Sequence, residues 1–205
     1  MDESVQRTLA ALEKNNMVPH YVETAAEVVP LVRTLLNRGD TVGAGGSQTL
    51  AQTGVMDLLA CGDYRYLDRT APGITREQVE DIYRALFSAD CYFSSSNAIT
   101  EDGALVNMDG NANRIAALAF GPKRVVIVAG TNKLVPDEAA AVARIESTAA
   151  PLNARRLHMQ TPCAVTGRCM HCQSPDRICC SLLVQRQQRK AGRIHVILVN
   201  EALGY

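Results

Sequence analysis

Five of the seven cysteines of this 205-residue chain fall in one short segment near its C-terminus. They are Cys163, Cys169, Cys172, Cys179 and Cys180. The first four have the spacing Cys-x5-Cys-x2-Cys-x6-Cys, and Cys180 is an alternative fourth member. A Cys-x2-Cys turn places two sulfurs on one side of a tight loop, and in a reducing compartment such clustering favours metal binding over disulfides. We therefore predict a metal site formed by Cys163, Cys169, Cys172 and Cys179.

The spacing also bears on which metal these cysteines hold. The segment lacks the regular pairs of Cys-x2-Cys that are typical of a zinc ribbon, which favours a [4Fe–4S] cluster, with zinc as the alternative. His158 and His171 lie in the same segment and could replace a sulfur. The remaining alternative is a loop of reduced, partly buried cysteines that binds no metal.

The cysteine segment is strongly cationic, although the whole chain has a formal net charge of zero. Residues 155–193 carry eight basic side chains and one acidic one, whereas residues 1–154 carry 13 basic and 19 acidic ones. Nearby arginines favour thiolates and offset the negative charge of a thiolate-bound metal. No aromatic residues are interleaved with these basic residues, so we do not expect nucleic acid as a partner.

A second candidate site is the glycine-rich sequence Gly-Ala-Gly-Gly-Ser at residues 43–47, which follows a short apolar run. Backbone amides in such a turn can bind an anion, so we predict Gly45, Gly46 and Ser47 as ligand-binding residues. The sequence lacks the spacing of a dinucleotide-binding fingerprint and the lysine of a phosphate-binding loop. The alternative is that the glycines only permit a tight turn and Ser47 only caps the next helix.

A third candidate site is the cluster of amide, carboxylate and guanidinium side chains between residues 97 and 114. The predicted ligand-binding residues here and just downstream are Asn97, Gly110, Asn111, Arg114 and Lys133. Arg114 or Lys133 would bind a carboxylate or phosphate, and Asp109 or Glu101 would serve as acid, base or nucleophile. The alternative is a hydrogen-bonded network of turns with Glu101 facing solvent.

Alternating strands and helices must position these residues. Helical periodicity predicts helices over 5–12, 28–36, 48–52, 79–87, 113–120, 136–149 and 178–190. Apolar runs predict strands over 41–44, 64–67, 91–93, 124–129 and 194–199, and the Asp-Gly pair at 102–103 predicts a β-hairpin. The sequence therefore predicts an α/β fold with a mostly parallel sheet sandwiched by helices. Residues 1–150 would form the α/β domain, 151–180 a cysteine-rich loop, and 181–205 a helix and a strand that complete the same domain.

Composition limits the class of protein. With 47% hydrophobic and 20% charged residues, the chain can bury the core of one globular domain. Its longest apolar runs are the length of strands, so we expect no membrane span. The acidic start Met1-Asp2-Glu3 is followed by no apolar run typical of a secretory signal, and we expect a cytoplasmic protein.

A family resemblance is carried by GAGGSQTL (43–50), SSNAITEDGALVNMDGNANRIAAL (95–118), GPKRVVIVAGTNKLV (121–135) and APLNARRLHMQTPCAVTGRCMHCQSPDRICC (150–180), and it extends to HVILVNEALGY at the end. These segments closely resemble the LUD-domain, or lactate-utilisation, family. The resemblance implies a fold related to ribose-5-phosphate isomerase and the CoA transferases. Ligand sites are then expected where the Gly45-Gly46-Ser47 and Asp109-Gly110-Asn111 turns meet at the carboxyl edge of the sheet. It also implies a role in oxidising lactate to pyruvate beside partner subunits that carry iron–sulfur clusters.

Together these features predict a lactate-utilisation-type protein that binds a small anionic hydroxy or keto acid and an iron–sulfur cluster. It would act in electron transfer with partner subunits, and it could also form a homo-oligomer. One alternative is an enzyme of the sugar-phosphate isomerase or CoA-transferase type, in which zinc or free cysteines only brace the C-terminal segment. Another is a non-catalytic scaffold that binds a metabolite.

Overall fold

Ten β-strands and nine α-helices follow one another along the chain, and the computed structural model describes all residues 1–205. The strands are β1 (Val18–Val22), β2 (Thr41–Ala44), β3 (Arg65–Tyr66), β4 (Cys91–Ser94), β5 (Ala98–Thr100), β6 (Leu105–Asp109), β7 (Arg124–Gly130), β8 (Leu134–Val135), β9 (Ser181–Gln185) and β10 (Ile194–Val199). The helices are α1 (Glu3–Lys14), α2 (Val28–Thr34), α3 (Gln48–Gln52), α4 (Val55–Leu59), α5 (Arg76–Ala85), α6 (Asn113–Ala119), α7 (Glu138–Arg144), α8 (Ala150–Arg156) and α9 (Pro162–Thr166). None of the helices is long and apolar enough to cross a membrane.

Six strands form a parallel sheet in the order β1-β10-β7-β4-β2-β3, which confirms the predicted α/β class. Its core has two layers, because successive residues of a strand point to opposite faces. On β7, Val125, Ile127 and Ala129 pack beneath α1 and α6, whereas Val126 and Val128 pack beneath α2, α3 and α4. The central strands are therefore buried on both sides, as their continuous apolar sequences predict.

A second sheet of four strands, in the order β8-β5-β6-β9, stands beside the first and was not predicted. The expected hairpin supplies its centre, where β5 and β6 pair antiparallel around Gly103, whose φ of 83° favours glycine. Its strands β5 and β6 follow β4 directly in the chain, and Asp109 is the last residue of β6.

The predicted helix over residues 178–190 is wrong, because this stretch contains strand β9. Ser181–Gln185 pairs antiparallel with β6 along five residues, from Asp109 opposite Ser181 to Leu105 opposite Gln185. The open edge of β6 has backbone groups that need partners, and pairing with them outweighs the weak helical spacing of the local sequence. The C-terminal part of the domain therefore contributes two strands rather than a helix and a strand.

Other elements differ from prediction mainly at their ends. Strand β1 was missed because Pro19 and His20 interrupt its apolar pattern. Helix α2 contains Pro30 at its third position, where the missing amide would have had no partner in the helix. The predicted helix over 136–149 consists of α7 and a π-helical turn at Ile145–Ala149, which leads directly into α8. Residues 151–180 are therefore not all loop, because they contain most of α8 and the whole of α9.

The cysteine-rich segment after α8 packs beside the end of β6. The Cys180 amide donates a hydrogen bond to the Asp109 carbonyl (3.0 Å), and the Cys169 amide donates to the Glu146 carbonyl (3.0 Å). A Cβ atom on Gly110 would lie 3.2 Å from the Ile178 Cα, so a glycine permits this close approach. The segment therefore borders the carboxyl end of the sheets.

Candidate functional site

The main cleft of the protein lies at the carboxyl ends of β2, β4, β6 and β7 and has a volume of about 710 Å³. Only six of its 29 lining residues are hydrophobic, so it suits a polar ligand. Its cationic lining residues are Arg69, Arg76, Arg114, Lys133, Arg156 and Arg177, and its acidic ones are Asp109 and Asp176. This excess of positive charge favours an anion.

The glycine turn forms one wall of the cleft. The Gly45 amide donates to the Phe93 carbonyl (2.9 Å) and is not available to a ligand, which corrects part of the predicted anion site. The amides of Gly46 and Ser47 have no hydrogen-bond partner within the protein. Ser47 also caps α3, because its Oγ accepts from the Leu50 amide (3.2 Å). Gly46 and Ser47 therefore remain as donors on this wall.

Two arginines that the sequence analysis did not select flank Gly46. A Cβ atom on Gly46 would lie 2.8 Å from Arg69 Nη2 and 4.0 Å from Arg156 Nη2. Arg69 donates through Nη1 to the Tyr83 hydroxyl (3.1 Å), and Arg156 donates through Nε to the Tyr205 hydroxyl (2.6 Å). Arg69 Nε and Nη2 and Arg156 Nη1 have no acceptor in the protein, so both arginines keep donors for a ligand.

Arg114, by contrast, is occupied within the protein. Its guanidinium lies near the Asp109 carboxylate, with 3.8 Å between Nε and Oδ2. Nη1 and Nη2 donate to the side chains of Asn97 and Asn107 and to the carbonyls of Ser95 and Met108. Arg114 therefore links the Asn97 and Asp109 turns and has little capacity to bind a ligand, which corrects its predicted role. Asn97 belongs to the same network, and the Asn111 side chain is exposed at the rim.

The two carboxylates proposed for catalysis are separated by the fold. Asp109 lines the cleft and caps α6, because its Oδ2 accepts from the amides of Arg114 (3.0 Å) and Ile115 (3.2 Å). Its Oδ1 has no partner within the protein. Glu101 lies outside the cleft and binds the Ser4 hydroxyl (2.7 Å) and Arg7 Nη2 (2.8 Å). These hydrogen bonds lower the pKa of Glu101, which connects the hairpin to α1.

Lys133 lies buried at the floor of the cleft, with 3% of the residue exposed. Its Nζ lies 2.9 Å from Thr49 Oγ1 and 2.9 Å from Ser95 Oγ, and it has no carboxylate partner. Burial, and to a lesser extent the charges of Arg144 and Arg114, lower the pKa of Lys133 to about 7. The sequence analysis selected Lys133 as a cation, but in this setting the amine is poorly suited to remain charged.

The predicted cysteine ligands do not line the cleft, but residues 175–178, which lie between Cys172 and Cys179, do. Cys169, Cys172 and Cys179 are partly buried. Burial raises the pKa of the Cys179 thiol, and the nearby Cys169 and Cys172 raise it to a smaller extent. Arg177 opposes it, with Nη2 3.6 Å from the Cys179 sulfur. Cys163 lies in α9, 3.3 Å from Thr161 Oγ1.

The surroundings of these thiols fit a negatively charged, thiolate-bound group. Arg177 Nε is buried without a hydrogen-bond partner, and the His171 amide donates to the Cys169 sulfur (3.4 Å). In a tetrahedral zinc site, sulfurs lie about 3.8 Å apart, as Zn–S bonds of about 2.3 Å require. No three of the four predicted sulfurs lie within 4.8 Å of one another, so these cysteines would have to move closer together to bind a single zinc ion. The group that does meet this distance is Glu146, Cys169 and His171.

Comparison with known proteins agrees with this fold. The LUD domain family matches residues 5–199, so the chain belongs to the LUD domain family and is a lactate-utilisation-type protein. A similar solved structure is the crystal structure of a DUF162 family protein from Deinococcus radiodurans, with 16% identity, 97% of each chain covered and a TM-score of 0.56. That likeness supports the fold alone.

A more distant match is eIF2B beta from Chaetomium thermophilum, with 13% identity and a TM-score of 0.38. It covers 56% of this chain and 44% of that one and has no bearing on function. No curated protein matches the sequence of this chain.

Proposed function

We propose that the cleft binds a small hydroxy or keto acid of the lactate and pyruvate type. The observation that carries this proposal is the pair of arginines, Arg69 and Arg156, that flank the free amides of Gly46 and Ser47. A guanidinium presents several N–H donors in one plane, which suits a carboxylate. The polar lining would accommodate the neighbouring hydroxyl or keto oxygen.

Calorimetric titration tests this proposal with lactate, pyruvate and the uncharged analogue lactamide. Lactate and pyruvate should bind, and lactamide should not. Because a hydrogen bond to a charged group contributes about 1.5–3 kcal/mol, Arg156→Met should weaken acid binding about 10- to 100-fold. The matched control is Arg38→Met, since Arg38 pairs with Asp63 on the surface and does not line the cleft. Equal affinities for lactate and lactamide would contradict the proposal.

We also propose that Cys163, Cys169, Cys172 and Cys179 hold a [4Fe–4S] cluster, with zinc as the alternative. The support is chemical: clustered thiols, a buried Arg177 Nε atom without a hydrogen-bond partner, and a backbone N–H···S contact. When bound, a cluster would supply one-electron transfer, and Arg177 would offset its negative charge. Arg177 and Ile178 line the cleft, so this segment lies beside the proposed acid site. The family resemblance remains the basis for expecting iron–sulfur partner subunits.

Iron and acid-labile sulfide in protein purified without oxygen test the cluster. Cys172→Ser should lower both and make the segment 155–180 more sensitive to protease, because the metal would cross-link that segment. Cys61→Ser is the control, because Cys61 is exposed and lies outside the segment. Protein with neither iron nor sulfide contradicts the cluster. Stoichiometric zinc would instead assign these cysteines a bracing role.

A further inference from the structure

We propose that Lys133 is a nucleophile whose amine forms an imine with the keto carbon of a 2-oxo acid bound in the cleft. This inference rests on the proposed acid site and adds a covalent role that acid binding alone does not require. An imine can form only with the keto acid and not with the corresponding hydroxy acid, because only a carbonyl carbon can accept the amine.

The hydrogen bonds around Lys133 match a neutral amine. The Thr49 hydroxyl donates its hydrogen to the Leu203 carbonyl (3.3 Å), and the Ser95 hydroxyl donates to the Ser96 carbonyl (3.5 Å). Both hydroxyl oxygens therefore accept from Lys133 Nζ. A neutral amine has two N–H groups, and these two acceptors satisfy both, which leaves the lone pair free. The third N–H of an ammonium group would have no acceptor in the protein.

The charges around Lys133 favour the same form. The cationic groups that act on it are Arg114 and Arg144, and no carboxylate compensates for them. Burial of an unpaired charge is costly, so the amine releases its proton more readily than an exposed lysine does. Desolvation and a neighbouring cation are the two means by which proteins activate a lysine amine as a nucleophile.

The cleft also offers access to Lys133 Nζ. Lys133 and Gly204 both line the cleft. A Cβ atom on Gly204 would lie 2.5 Å from Thr49 Oγ1 and 3.4 Å from Nζ, so the glycine allows the backbone to pass close to the amine without a side chain that covers it. The next residue, Tyr205, contacts Arg156 through its hydroxyl (2.6 Å). Gly204 and Tyr205 therefore connect the surroundings of the amine to one of the arginines proposed to bind the carboxylate. A 2-oxo acid has its keto carbon bonded directly to its carboxylate, and Lys133 lines the same cleft as Arg69 and Arg156.

The reaction is a condensation without a redox step. The Lys133 lone pair forms a bond to the keto carbon, and the C=O π electrons move to the oxygen, which takes up a proton. The nitrogen loses one proton to give the amino alcohol, and it loses its second proton as the C=N bond forms. The hydroxyl takes up this second proton and leaves as water. Amine and ketone give imine and water, and no other reactant is consumed.

Reductive trapping tests the inference. The full-length protein is incubated with pyruvate and cyanoborohydride, then examined by intact mass and peptide mapping. We expect a mass gain equal to pyruvic acid less one oxygen atom, on the peptide that contains Lys133. The other three lysines, Lys14, Lys123 and Lys190, are exposed and serve as internal references. Lactate should give no adduct.

Two variants and a binding measurement separate the outcomes. Lys133→Arg should abolish the adduct, and Lys123→Arg should leave it unchanged. The peptide map of the wild-type protein locates the adduct even if a variant fails to fold. An adduct spread over the exposed lysines, or none at all, overturns the inference. If pyruvate and lactate bind in calorimetry but no adduct forms, the acid site stands and the imine is wrong. If neither binds, the proposed function itself fails.

Discussion

Replacement of Lys133 by methionine should change how the stability of the protein depends on pH. Methionine has a similar length, carries no charge and removes one titrating group. In the folded protein the pKa of Lys133 is lowered to about 7 from 10.5, so between these values the unfolded chain binds more protons than the folded one. The contribution of Lys133 to the free energy of unfolding is therefore least favourable below pH 7, and it becomes more favourable as pH rises from about 7 to 10.5.

The size of this change follows from the shift in pKa. Each pKa unit corresponds to about 1.4 kcal/mol. Between pH 7 and pH 9.5, the free energy of unfolding of the wild type should therefore increase by about 3 kcal/mol relative to that of the Lys133→Met variant. Below pH 7 the Lys133→Met variant should be more stable than the wild type, because the variant buries no charge at this position. Urea unfolding of both proteins at several pH values measures this difference.

An exposed lysine provides the control for this experiment. Lys123 pairs with Asp90 on the surface, which raises its pKa, so Lys123→Met should give a difference in stability that is flat between pH 7 and pH 9.5. A flat difference for Lys133→Met would refute the argument that Lys133 is a desolvated amine without a compensating carboxylate.

Three further substitutions test single parts of the site. Gly46→Val should keep the fold but abolish lactate binding in calorimetry, because Gly46 is exposed and a side chain there would displace Arg69; unchanged affinity would reduce the turn to a structural element. Asp109→Asn should lower the free energy of unfolding by about 1 kcal/mol in urea, since it weakens the cap of α6. Glu101→Gln should leave lactate affinity unchanged, because Glu101 contacts α1 rather than the cleft.

The sheet that carries the site could be predicted because its strands are buried on both faces. Continuous apolar runs such as Val125–Ala129 have no other stable place in a domain of this size, and the Asp-Gly hairpin has its own local signal. Strand β9 could not be predicted, since it forms only where the edge of β6 offers partners far away in sequence. Strand β1 was missed for a similar reason, because pairing with β10 stabilises a sequence that contains a proline.

The location of the site was more predictable than the roles within it. The turns after β2 and β6 both line the cleft at the carboxyl ends of their strands, which is the arrangement that the family resemblance implied. The N–H groups of the Arg114 guanidinium donate to backbone carbonyls and amide side chains, and no sequence pattern reveals that these donors are already occupied. Arg69 and Arg156 come from separate parts of the chain and carry no motif. Only tertiary folding brings them to Gly46.

The most direct test of the acid site is a crystal structure of the anaerobically purified protein soaked with lactate. We predict density for lactate in the cleft, with its carboxylate within hydrogen-bond distance of the Gly46 amide and of Arg69 or Arg156. Lactate bound at another place, or a cleft that stays empty at saturating lactate, would contradict the account.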